Sequence, residues 1–249
     1  MTKELDGRVA IVTGAGRNIG RAIALQLADG GAAVTVNVRS NKAEADAVVK
    51  EIEAMGGRAL AAIGDVTDVA AVERMVAATV ERFGRIDYLI NNAAVRREAR
   101  VDDMSFAEWQ EVLGVILDGA FHCVKACLPH LRKSGAGAIV NIGGMSAHTG
   151  SKNRVHVTTA KAGLVGLTRG LAHDLADSRI TVNYLSPGLV GTPRDPSQPE
   201  PQHHSTNRTL FGDRGVPDDI AAMVRFLCGP GARYINGQSL HANGGAFLG

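Results

Sequence analysis

The 249-residue chain carries 27 Lys and Arg against 25 Asp and Glu, a formal net charge of +2, and 45% of its residues are hydrophobic. Cations and anions are interspersed without a basic cluster, which excludes the electrostatic footprint of a nucleic-acid binder, and no run of about 18 apolar residues is present to span a bilayer. The length suffices for a sizeable core and the opening MTKELDGRVA lacks an apolar leader, so a soluble cytoplasmic protein with neither membrane nor nucleic-acid partner is expected.

Short β-branched runs alternate with longer periodic segments along the chain. The strand candidates are RVAIVT, AAVTVNV, RALAAIG, IDYLIN, GAIVNI, ITVNYL and a last one near GQSLHA. Helical patterns open near Asn18, Asn41, Asp68, Ser105, the region of His156, and Pro217, several behind a capping Ser, Asp or Asn. Repeated βα units of this kind predict an α/β fold, a doubly wound, seven-stranded parallel sheet with helices on both faces. No Pro-, Gly- or Ser-rich break precedes Thr192, so one domain over 1–249 is expected, with a substrate-loop insertion at about 193–213. The stretch TPRDPSQPEPQHHS, Thr192 to Ser205, reads as a mobile loop in that insertion.

Cys123 and Cys127 lie four apart in a segment that reads as buried helix, without metal-ligand spacing, and three cysteines cannot all pair; reduced core thiols are expected. His203 and His204 are adjacent, but nothing supplies a third ligand at a recognisable spacing, and no metal is expected. In the helix HVTTAKAGLVGLTRGLAHDL, Leu164, Leu167, Leu171 and Leu175 recur at intervals of three and four and mark a buried stripe. Lys161 stands at the edge of that stripe, where a lysine either snorkels to water or meets a ligand.

In an open parallel sheet, ligands bind beyond the carboxyl ends of the strands. The first such loop is TGAGRNIG, Thr13 to Gly20, a Gly-rich turn feeding a helix, where backbone amides and the helix N-terminus suit a pyrophosphate. This turn resembles the TGxxxGxG motif of the short-chain dehydrogenase/reductase family, with Asn18 where the middle Gly usually stands. Further matches follow in order: Asp65-Val66 after the third strand, NNAA from Asn91 to Ala94, SPGLVGT from Ser186 to Thr192, GVPDDIA near Val216, and NGQSLHANGG near the end. Within that family the pattern is most similar to β-ketoacyl-acyl-carrier-protein reductases.

The resemblance implies a dinucleotide site residue by residue. Gly14, Asn18, Ile19 and Gly20 would hold the pyrophosphate, Asp65 and Val66 the adenine, and Asn91 with Ala93 the adenosine ribose region. Val190 and Thr192, after Pro187 and Gly188, would grip the carboxamide, and Lys161 would bond the nicotinamide ribose. An acidic residue after the second strand would favour NAD by binding the ribose hydroxyls. The chain instead reads VNVRSN, placing Asn37, Arg39 and Ser40 there with Arg17 nearby, so NADP(H) is expected over NAD(H).

The family's proton-handling residues are missing. Its tyrosine, four before the lysine, is Val157 here; its serine is Gly144; its helix asparagine is Ile116. General acid catalysis contributes roughly 10²- to 10⁴-fold, so its loss slows hydride transfer without abolishing it. His156 is the first replacement donor, provided that it precedes the first helical turn; inside the helix it points about 140° from Lys161. His148 and Ser146, in the loop after the fifth strand, are further candidates, whereas Tyr184 sits in a strand and reads as core.

Three functions remain open at this point. The first is an NADP(H)-dependent oxidoreductase moving a hydride between cofactor and a small-molecule carbonyl, alcohol or similar group through an atypical proton donor. The second is a redox-inactive nucleotide-binding protein acting as regulator or partner subunit, and the third is a lyase or dehydratase on the same fold. Retention of Lys161 and of the Val190 and Thr192 loop favours the first. The apolar helices from Trp109 to Leu128 and Lys161 to Leu175 resemble those through which the family builds homotetramers.

Overall fold

The computed structural model describes residues 3–192 and 209–249. Seven parallel strands form one sheet in the order β3-β2-β1-β4-β5-β6-β7. They are β1 (Val9–Val12), β2 (Ala33–Val38), β3 (Arg58–Ile63), β4 (Tyr88–Asn91), β5 (Ala138–Ile142), β6 (Thr181–Pro187) and β7 (Ser239–Ala242). All seven expected strands form, and the reversal of order between β1 and β4 opens a crevice at their carboxyl ends.

The connecting helices are α1 (Asn18–Asp29), α2 (Lys42–Ala54), α3 (Val69–Phe83), α4 (Phe106–Leu113), α5 (Gly119–Lys133), α6 (Ser146–Thr149), α7 (Val155–Asp174) and α8 (Pro217–Cys228). Asn41, Asp68 and Ser105 each accept a backbone N–H of the first turn, as N-caps do. A π-helical turn, Gly114–Asp118, joins α4 to α5, which the sequence pattern does not reveal. The resulting continuous helix, Phe106–Lys133, is long and apolar enough by length and composition to cross a membrane, although Glu108, Glu111, Asp118 and Lys125 interrupt its apolar residues. Its buried residues Val112, Ile116, Ala120, Cys123, Val124, Cys127 and Leu131 make it a core helix instead.

The core has two layers because successive strand residues face opposite sides. Ala10, Val12, Val34 and Val36 pack with α1, α2 and α8 on one face; Ile11, Leu89, Ile139 and Val182 pack with α3 and α5 on the other. A third, smaller cluster joins Val112, Ile116 and Ala120 to Val157, Ala160 and Leu164 of α7 and to Tyr184 of β6. The buried line of α7 is therefore Val157, Ala160, Leu164, Thr168 and Ala172, continued by Leu175, while Leu167 and Leu171 are only half-buried. The helix is turned so that small residues approach α4 and α5, and the regular leucine spacing overstated the stripe. All three cysteines are buried and unbonded, and burial pushes the Cys123 thiol up to about 12.

Candidate active site

The turn after β1 is tied directly to β4. The Thr13 hydroxyl donates to the Ile90 carbonyl and accepts from the Asn92 and Ala93 amides at 3.0 Å each. The Asn92 side chain donates to the Thr13 and Gly14 carbonyls at 2.9 and 3.0 Å. Neither Thr13 nor Asn92 stood out in the sequence beyond its motif, yet together they fix the crevice wall. Gly14 has φ 61°, a left-handed conformation suited to glycine, and a methyl on Gly20 would collide with the Gly14 carbonyl oxygen. The turn is thus shaped for close backbone approach, with Asn18 at φ 52° opening α1 and Ile19 following it.

Among the described residues, Asn91 Oδ1 is buried at this crevice without a hydrogen-bond partner, as is Thr192 Oγ1 beyond β6. Asn91 donates its amide to Asn141 at 2.8 Å, and Asn141 donates to Thr168 at 2.9 Å, so that the orphaned oxygen is held in one orientation. An orphaned buried acceptor beside a Gly-cradled turn fits a polar ligand such as a dinucleotide. At the far end, Gly188 donates to Ala242, and Val190 bridges to Gly215, which fixes the segment leading to Thr192.

The adenosine side is less uniform. Arg17, Arg39 and Ser40 are exposed around the turn, as expected, but Glu44 packs there too: a methyl on Gly16 would lie 3.0 Å from its carboxylate. Asp65 accepts from the Thr67 amide at 2.9 Å and the Thr67 hydroxyl at 2.8 Å, and Val66 is buried behind it. Asn37 is not available to a ligand. It is 2% exposed, donating to the Ala62 and Gly64 carbonyls and facing the Gly14 amide, so it is a strut between β1, β2 and β3 rather than a contact residue.

Lys161 lies on α7 beside the end of β5, donating to the Gly143 carbonyl and, at 3.4 Å, to the Ile142 carbonyl. Burial, reinforced by the charges of Arg154 and Arg96, lowers its ammonium to about 7. Gly144 leaves its stem open: a methyl there would sit 3.4 Å from Lys161 Cδ and 3.9 Å from Nζ. Val157 and Ile116 are 1% and 2% exposed in the cluster with Tyr184, so apolar packing fills those positions.

His156 is turned away from this site. It belongs to α7, is fully buried, and directs Nε2 toward Glu108 Oε1 at 3.7 Å. Five residues along one helix put it about 140° from Lys161, so its expected role as proton donor is corrected to a packing contact between α7 and α4. Ser146 opens the short helix α6 and is half-buried. His148 stacks on Phe247 at 5.6 Å and meets His241 at 4.7 Å and Tyr184 at 5.8 Å edge-on. Burial and the neighbouring His241 lower its imidazole. Among the described residues no three His, Cys, Asp or Glu side chains gather as a metal site. His203, His204 and most of the expected substrate loop lie outside the described residues.

The comparisons agree with this geometry. The family model described as Enoyl-(Acyl carrier protein) reductase matches residues 14–246. The chain is 38% identical over 240 residues to a 3-oxoacyl-acyl-carrier-protein reductase FabG of Staphylococcus aureus, covering 96% of this chain and 98% of that one. A dehydrogenase/reductase of Sinorhizobium meliloti superposes with a TM-score of 0.93 at 37% identity, covering 99% and 98% of the two chains. A short-chain dehydrogenase of Burkholderia cenocepacia, solved in complex with NADP, superposes with a TM-score of 0.91 at 37% identity over 98% and 99%. With matches of this extent to a Gly-cradled crevice at the β1–β4 switch, the chain belongs to the short-chain dehydrogenase/reductase family and is an oxidoreductase resembling 3-oxoacyl-acyl-carrier-protein reductases.

Proposed function

We propose that the protein is an NADP(H)-dependent reductase or dehydrogenase of a small-molecule carbonyl/alcohol pair, with Lys161 in place of the missing tyrosine as the proton-transfer group. The observation that carries the reading is the placement of Lys161: its ammonium is held at the Gly143 carbonyl, with Gly144 leaving its flank open. An amine lowered to about 7 has both protonation states populated at neutral pH, which suits a group that gives and retakes a proton.

When bound, the dinucleotide supplies the hydride. Gly14, Asn18, Ile19 and Gly20 would cradle its pyrophosphate, Asn91 and Ala93 its ribose, Asp65 and Val66 its adenine, and Pro187, Gly188, Val190 and Thr192 its carboxamide end. Arg17, Arg39 and Ser40 would meet a 2′-phosphate, while Glu44 opposes them in part. The carbonyl oxygen takes the Nζ proton of Lys161 as the carbon is reduced, and the neutral amine recovers a proton from solvent.

A second reading, the redox-inactive nucleotide binder, draws on one observation: Val157 and Ile116, which the family resemblance puts at its polar positions, lie in closed apolar packing. NADPH consumption across ketones, quinones, imines and enones separates the two. Turnover of any of these that is lost in Lys161→Met supports the first reading; tight NADPH binding with no turnover across the panel selects the second.

A further inference from the structure

We propose that Tyr184 is a positioning residue for Lys161: its hydroxyl clamps the backbone of Gly144, and through it the Gly143 carbonyl that receives the ammonium. The inference rests on the reading of Lys161 as the working group of the site, and it adds a residue from a strand that contributes none of the family's missing groups.

The geometry is specific. The Tyr184 hydroxyl accepts from the Gly144 amide at 3.0 Å and donates to the Gly144 carbonyl at 3.2 Å, bonding both polar groups of one residue. The adjoining Gly143 carbonyl is the acceptor of Lys161 Nζ. Tyr184 is fully buried, so it touches no substrate and acts only through this backbone. Its ring reaches Gly144 because position 143 has no side chain; a methyl there would fall inside the ring. The same ring packs with Val157 and Ile116, which occupy the tyrosine and asparagine positions.

The departures at 116, 144 and 157, with glycine at 143, therefore accompany a single phenol that enters from β6. A phenol bonded twice to one residue's backbone holds that peptide in one orientation, and the next carbonyl back along the chain is held with it. A fixed carbonyl favours the charged form of Lys161 against the burial and the Arg96 and Arg154 charges that oppose it. His148, edge-on to the Tyr184 ring, is a further titratable group packed against the clamp, with His241 and Arg169 beside it.

In protein labelled with ¹³Cε-lysine, with the Lys161 signal identified by its absence in Lys161→Met, NMR gives the titration midpoint of Lys161 without modifying the amine, in the cofactor-free protein. Tyr184→Phe keeps the ring and removes the clamp, so the midpoint is expected to fall by about one pH unit. An unchanged midpoint in folded Tyr184→Phe overturns the proposal. A measurement free of any substitution at 184 stands beside it: in ¹³C-tyrosine-labelled protein, the Tyr184 Cζ shift must follow the ionisation of Lys161, and a flat trace through that midpoint also overturns it. Because neither readout involves cofactor or turnover, absence of NADPH binding or of reductase activity would refute the functional reading separately.

Discussion

Tyr184 and Gly143 share one volume: the phenol ring of the first occupies the space that a Cβ on the second would fill. Gly143→Ala should therefore be strongly destabilising, beyond the roughly 1–3 kcal/mol typical of overpacking, since the ring is enclosed on all sides. Tyr184→Ala alone should cost about 3–5 kcal/mol by cavity formation. The double variant should be less damaged than the sum of the two by about 2 kcal/mol or more, read by denaturant unfolding. Simple additivity would mean that the two residues do not compete for space.

The same ring limits any attempt to restore the family's usual residues. Val157 is 1% exposed and packs in the cluster with Tyr184, so Val157→Tyr introduces a second ring into occupied space. Gly144→Ser is milder, because its Cβ meets Lys161 Cδ at an ordinary 3.4 Å. Val157→Tyr with Gly144→Ser should lower the Tm without raising reductase activity, whereas adding Tyr184→Ala should recover folding and bring a gain in carbonyl reduction. Activity in the double variant equal to that of the triple would show that position 157 opens to the crevice without displacing Tyr184.

The sheet was legible because parallel strands buried on both faces read as β-branched runs between capped helices, and all seven formed where expected. The phosphate turn was legible as glycines at a strand-to-helix junction. What escaped was long-range. Tyr184 reads as one more core residue of β6, and only the pairing of β5 with β6 brings its hydroxyl onto Gly144. The paired glycines at 143 and 144 were the available signal, and their meaning depends on that neighbour. His156 was misjudged because its orientation turns on whether α7 begins before or after it, a difference of one or two residues that local pattern does not determine. Asn37 looked like a ligand contact from its place after β2, but its amide is spent on the carbonyls of β3 and its following turn.

Cofactor preference turns on exposed charge. Arg17 and Arg39 stand at the turn with Ser40, opposed by Glu44 against Gly16. NADPH should bind more tightly than NADH by calorimetry, Arg39→Ala should cost NADPH about tenfold while sparing NADH, and Glu44→Gln should widen the preference. An Arg39→Ala protein that keeps its preference would remove the basis for assigning the 2′-phosphate to this arginine.

Association into a homotetramer is expected through α4, α5 and α7. Phe106 and Phe121 are 71% and 50% exposed, and on α7 the exposed Gly166 and Gly170 have open space above them. Small residues one turn apart permit close helix approach, and exposed aromatics beside them supply buried area. Light scattering should give about four times the 26.0 kDa chain mass, and Gly166→Arg or Phe121→Glu should reduce it. A monomeric mass at micromolar concentration would refute the assembly.

Lys161 links stability and turnover through one ionisation. Burial lowers it from 10.5 to about 7 in the folded protein. Between those values the unfolded chain binds the proton that the folded chain has released, so the burden that Lys161 places on folding is largest below pH 7 and is relieved as pH rises toward 10.5. Lys161→Met should accordingly be more stable than the parent at pH 6 in the absence of cofactor, with the difference shrinking across that window. If the same ammonium gives its proton to the substrate, kcat/KM for reduction should fall above about pH 7, with a midpoint matching the pH at which the stability difference begins to shrink. A rate limb at that pH with no stability difference would assign the kinetic ionisation to another group, and His148, whose lowered imidazole faces Tyr184 and His241, would be the next to substitute.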